Sequence, residues 1–153
     1  MTKTRVMFSA GCAFIVACFL ALGLTGCGTP GTYVSTVNNM SIYVEGASPV
    51  GDGSDPTSVL VTNDKGNSFL IETEYMGALP NSDFDTIHNQ YKNQLETVVD
   101  NGSTIVMRES STNWGLHMDS YVIAHRTDNR VTEAYSVDIY GMTTDVPDLN
   151  FSF

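Results

Sequence analysis

From Val6 to Leu24 the chain carries no charged side chain, and the only charges before this run are Lys3 and Arg5. A short positive segment followed by an apolar one is the layout of a secretory leader. The run is also long enough for a transmembrane helix, for which roughly 20 apolar residues suffice. The small residues that follow it favour a processed signal. On this reading residues 1–26 leave the fold, and 127 of the 153 residues remain to build it. That is enough for one domain with an ordinary core and too few for two.

The run ends at Leu24-Thr25-Gly26-Cys27, which resembles the lipobox of bacterial lipoproteins. In that family the cysteine thiol takes a diacylglyceryl group and the leader is cut just before it. The resemblance therefore implies lipidation at Cys27 and cleavage between Gly26 and Cys27. Two or more acyl chains hold a protein at a membrane where one gives only marginal binding. The other cysteines, Cys12 and Cys18, lie inside the apolar run and leave with the leader, so no thiol remains for a disulfide. In Gram-negative lipoproteins an Asp after the cysteine favours the inner membrane, and this chain has Gly28 there. The implied address is the extracytoplasmic side of the cell envelope: the outer membrane if the source is Gram-negative, the outer face of the cell membrane if Gram-positive.

All 17 acids follow Cys27, whereas Lys3 and Arg5 are two of only seven Lys and Arg, so the remainder holds 5 bases and a formal charge of −12. A nucleic-acid binder needs clustered Lys and Arg against phosphate, and this composition excludes one. It also repels anionic headgroups, so the acyl group and not a basic patch must hold the chain to its membrane.

Residues 27–40 are mostly Gly, Thr, Ser and Asn and read as a tether; the domain is expected over 41–153. Ser41–Val44 reads as a first strand, and "GASPVGDGSDPTS" (46–58) as loop. Val59–Val61 and Phe69–Tyr75 flank "NDKGN", a hairpin signal. In "SDFDTIHNQYKNQLETVVDNG", Phe84, Ile87, Tyr91, Leu95 and Val98 recur at helical spacing, Ser82 stands where a cap would, and Asn101-Gly102 would stop the helix. Three strands follow, Thr104–Ser110, Leu116–Arg126 and Val131–Tyr140, the last two joined by "RTDNR", and Leu149–Phe153 reads as a short terminal strand. The expected fold is α+β: an antiparallel sheet of about five to six strands with one main amphipathic helix on one face. The element order over roughly 59–140 resembles the PsbP/Mog1-like α/β sandwich, which would imply a non-enzymatic docking or assembly module.

The chemistry-bearing residues are few. Asp52 and Asp55 sit on a Gly-rich loop of the kind calcium favours, but EF-hand spacing is absent and Asn63 stands where the bidentate Glu belongs. His117, Asp119 and His125 share one strand face. At ~3.3 Å per residue the two histidines lie ~26 Å apart, beyond any shared zinc. Only His117 with Asp119 can act together as a metal site, and His88 belongs at the edge of the helical stripe. Glu72 and Glu74 stand some ~7 Å apart on one face, a spacing found in glycosidases but more often plain solvent-facing alternation. No G-x-S-x-G motif is present. Trp114, in "TNWG", is the residue singled out for recognition, the other reading being a Trp that folds back over the core. Together these observations point to a lipid-anchored protein with a binding, docking or assembly role, no catalysis, no cofactor and an envelope protein as partner. The alternative is a small metal-dependent ligand binder or hydrolase using His117 and Asp119.

Overall fold

The computed structural model describes residues 31–127 and 131–153. Cys27, Gly26 and the centre of the "RTDNR" turn lie outside the described residues.

Ten strands and one helix are present among them: β1 (Thr32–Val37), β2 (Met40–Val44), β3 (Ala47–Val50), β4 (Ser58–Asn63), β5 (Ser68–Pro80), α1 (Asn81–Tyr91), β6 (Glu96–Asp100), β7 (Thr104–Asn113), β8 (Leu116–Arg126), β9 (Val131–Gly141) and β10 (Leu149–Ser152). They form a three-stranded sheet in the order β1-β2-β10 and a seven-stranded sheet in the order β3-β4-β5-β9-β8-β7-β6. Every pairing is antiparallel. The two sheets face each other across one core. Val34, Met40, Ile42, Val44 and Leu149 from the small sheet meet Val61, Phe69, Ile71, Tyr121, Ile123, Tyr135, Val137 and Ile139 from the large one.

The α+β expectation is therefore wrong: the protein is a β-sandwich, and the main core is closed by a second sheet. Part of that second sheet lies in the stretch read as a tether, where Thr32–Val37 pairs with β2. A bulge between Tyr33 and Ser35 breaks the alternation, so Val34 and Val37 face the core while the sequence shows no period of two. Gly31 fixes where the chain enters this strand. Its φ is 80°, and a Cβ there would stand 2.5 Å from the Val44 carbonyl oxygen, so only glycine fits. Residues 47–50, read as loop, form β3 against β4.

The helix is also shorter than its periodicity suggests. It starts at Asn81 with Pro80 at the cap position, so Ser82 falls in the first turn, and it ends at Tyr91. Glu96–Asp100 instead pairs with β7 as an edge strand. Thr97, Val98 and Val99 are β-branched and prefer that state. The helix packs Phe84, Ile87 and Tyr91, with Leu95 just after its end, on Ile105, Met107, Val122 and Ala124, a second small core on the outer face of β7 and β8. Arg126 holds its start in place, with its guanidinium 4.0 Å over the Phe84 ring and 3.0 Å from Asp85 Oδ1. Because β7 is covered on both faces, residues 104–107 are all buried. The strands predicted at 59–61, 69–75, 104–110, 116–126, 131–140 and 149–153 all form, most of them a little longer than predicted.

Candidate functional site

Three places carry the residues of interest: a polar recess at one end of β7 and β8, the hairpin tip beside it, and the uncovered part of the large sheet's outer face.

The recess holds about 370 Å³ and is bordered by Arg108, Thr112, His117, Asp119, Thr144 and Asp148 among others. His117 and Asp119 are thus brought to one place, as their spacing predicts. Arg108 is its central charge. Its guanidinium lies 2.6 Å from Asp148 Oδ1, 2.8 Å from Glu96 Oε2 and 3.9 Å from Asp119 Oδ2. The bond to Glu96 leads the effects that raise the Arg108 pKa above its ordinary value. The cation that these carboxylates would otherwise attract is already present as a side chain. Next to it Tyr121, its hydroxyl accepting from the Leu149 N–H at 3.4 Å, has its pKa raised by burial first.

His117 Nδ1 lies 2.7 Å from Thr112 Oγ1. A hydroxyl beside an imidazole suggests a nucleophile and its base, but the same pair recurs at the other end of the hairpin, where His125 Nδ1 lies 2.8 Å from Thr104 Oγ1. Both are directly opposed cross-strand partners. The repetition makes the pair a strand-pairing device, with each threonine oxygen satisfying a ring nitrogen. His125 is further enclosed by the Phe153 ring, stacked at 4.0 Å, and burial holds its pKa low. The histidines therefore serve separate sites, as the strand rise requires. His88 makes a 3.2 Å contact with Asp100.

Asp52 and Asp55 each close their own turn. Asp52 Oδ1 accepts from the Ser54 N–H, and Asp55 Oδ1 accepts from the N–H and hydroxyl of Thr57. These bonds hold both carboxyls below their usual pKa. Among the described residues no three His, Cys, Asp or Glu gather in a way that could hold a metal ion.

Trp114 does not fold back over the core; it is 95% exposed. With Gly115 it forms the two-residue turn between β7 and β8, at φ values of 52° and 80°. Positive φ at both central positions marks a type I′ turn, where Asn-Gly is the preferred pair. A bulky aromatic at φ of 52° is strained.

The third place was not legible residue by residue. On the outer face of the large sheet the register aligns Leu60 with Leu70, Leu70 with Tyr140 and Tyr140 with Met118. These four form an apolar row across four strands, Leu60 41% exposed and the others half-buried. The adjacent row is acidic, aligning Glu72 with Asp138 and, through Ser120, with Glu109. Glu72 and Glu74 thus belong to this exposed face. Burial, with Glu72 next to it, pushes the Tyr140 phenol upward. The four residues are spread between positions 60 and 140, and only the pairing β4-β5-β9-β8 brings them together.

The fold and the site define an antiparallel β-sandwich with an open apolar row on its outer face, flanked on one side by acids. Comparison with known protein families, with curated proteins and with solved structures finds no match to this chain.

Proposed function

We propose that this chain is a lipoprotein anchored through Cys27 on the extracytoplasmic side of the cell envelope, whose β-sandwich docks a protein partner and catalyses nothing itself. The observation that supports docking is the row Leu60, Leu70, Tyr140 and Met118 beside the acidic row of Glu72, Asp138 and Glu109. An apolar strip left open on a sheet face and flanked on one side by one sign of charge fits a protein surface better than a small ligand. The partner that fits presents apolar side chains flanked by Lys or Arg. The address is the outer membrane in a Gram-negative source and the outer face of the cell membrane in a Gram-positive one.

The test places a photo-crosslinking residue at Leu70 or Met118 in the envelope-bound protein, with Lys92 on the far end of α1 as control. The expected result is one discrete adduct from the row positions, absent from the control and lost when Glu72→Lys and Asp138→Lys are combined. Equal labelling from all positions refutes the docking face. Separately, Cys27→Ser is expected to leave the protein unprocessed or released from the membrane; a variant that stays anchored at the processed size refutes the lipoprotein reading.

The alternative, a metal-dependent ligand binder or hydrolase, has only the shared recess of His117 and Asp119 behind it, where Arg108 already pairs with the carboxylates and no third ligand stands among the described residues. Stoichiometric metal in the purified protein, lost in His117→Ala, would favour that reading over docking.

A further inference from the structure

We propose that the hairpin tip formed by Trp114, Leu116 and Met142 seats in the interface of a zwitterionic lipid surface, an inference that rests on the anchor at Cys27 for its orientation.

Trp114 and Met142 are 95% and 75% exposed, and Leu116 is 37% exposed. Met142 reaches the turn that carries the other two: its Cε lies 4.0 Å from where a Cβ on Gly115, between Trp114 and Leu116, would stand. Neither local propensity nor burial explains Trp114. The turn favours Asn at its position, and the ring covers nothing in its own core. A residue held in a strained conformation and exposed to water is one whose contact lies outside the domain. An indole has an apolar body and one N–H, which suits the boundary between acyl chains and headgroups.

The path of the chain supplies the occupant. Thr32 pairs with Val44, Val44 pairs with Leu149, and the Leu149 N–H reaches the Tyr121 hydroxyl, so β1 begins at the level of Tyr121 on β8. Traced backwards from Val37 to Thr32, β1 runs in the direction in which β2 leads to Ala47. Ala47 pairs with Asn63 of the β4–β5 turn, at the same end of the sheet as Gly141, His117 and the tip. β1 therefore begins at the tip end of the sandwich. From Tyr121 to Leu116 is five residues, about 17 Å along the strand. From Thr32 to Cys27 is also five residues, a reach of at most ~18 Å. A lipid chain on Cys27 thus draws the tip to the membrane surface, because the tether is no longer than the depth of domain it must clear.

Charge selects the lipid. At this end Lys65 is paired with Asp145 at 3.2 Å, and Asp64 is the remaining charge of the turn. Two acids against one base, on a domain that is acidic throughout, are repelled by anionic headgroups. Seated this way, the row from Leu60 to Met118 runs parallel to the lipid surface, with Met118 two residues above Leu116.

Trp114 is the only tryptophan in the sequence, so its emission reports the tip alone. The full chain is reconstituted in phosphatidylcholine vesicles with and without bromine-labelled acyl chains. The expected result is a shift of emission to shorter wavelength, quenching by the brominated lipid and shielding from acrylamide. Leu116→Gln combined with Met142→Gln should reduce the lipid quenching while leaving Trp114 in place. Replacing part of the phosphatidylcholine with phosphatidylglycerol should also reduce it at low salt, and added salt should restore it. Emission at the wavelength of water-exposed indole, with full acrylamide access and no lipid quenching in vesicle-bound protein, overturns the proposal even if Cys27 is lipidated. Stronger quenching by the anionic vesicles also overturns it. Release of Cys27→Ser from native membranes, measured separately, decides the anchor: a failed anchor and a failed tip give different readouts.

Discussion

Truncating Ile42 to Ala tests the part of the architecture on which the rest depends, the three-stranded sheet that closes the core. Ile42 is fully buried at the centre of β2, opposite Ser35 of β1 on one side and Phe151 of β10 on the other. Its neighbours along the strand, Met40 and Val44, are buried as completely and face the same core. Removing three carbons from such a site costs the transfer free energy of the lost groups and leaves a cavity, together about 2–5 kcal/mol. For a domain of this size that corresponds to a fall in Tm of about 8–20 °C. The assay is urea unfolding followed by far-ultraviolet circular dichroism, in which the midpoint should fall with little change in slope. Leu60→Ala, on the open outer face, is the control and should stay within about 0.5 kcal/mol of the parent. If Ile42→Ala costs no more than Leu60→Ala, the small sheet does not close the core and the sandwich is wrong.

The remaining predictions concern the tip and the buried histidine. Trp114→Asn places the residue that the type I′ turn prefers at φ of 52° and should raise stability by about 1 kcal/mol, read by the same unfolding curve, while weakening lipid contact; a loss of stability would mean that the indole packs on its own domain. Burial holds the His125 imidazole below its ordinary value of 6.5, against the opposing pull of Glu133. The unfolded chain therefore binds its proton first as the pH falls, so stability declines below 6.5 and the loss is complete under the folded value. His125→Gln should flatten the dependence of Tm on pH as the pH falls below 6.5; identical slopes in parent and variant would refute this origin.

Single elements show where sequence reading reached and where it stopped. The alternation of Val131–Tyr140 and the turn residues around "NDKGN" were sufficient to predict β9 and the β4–β5 hairpin, because a strand with one buried face writes a period of two into its own residues. The stripe Phe84, Ile87, Tyr91 was a true helical signal, but Leu95 and Val98 extended it falsely past the end at Tyr91. Two apolar positions at a three-residue step suit a helix face and an edge strand alike, and pairing with β7 decided between them. β1 was hidden by its bulge and by polar residues on its open side. His117 and Asp119 share a recess because they stand two apart on one strand, which spacing alone implies. That Arg108 stands as a cation among the carboxylates of the recess depends on the pairing of β6 with β7 and on Asp148, 40 residues away, before β10.

The sequence by itself determined the acidic charge and most strands, and it carries the lipobox-like "LTGC" on which the proposed anchor rests, because each of these is a local property of neighbouring residues. Tertiary structure alone decided that the core is closed by a second sheet, that Trp114 faces outward, and that Leu60, Leu70, Tyr140 and Met118 stand in one row. The physical reason is that burial and cross-strand neighbourhood are set by which strands pair. Pairing between β5 and β9, or between β2 and β10, joins residues 51 to 111 positions apart, a relation that no local period records.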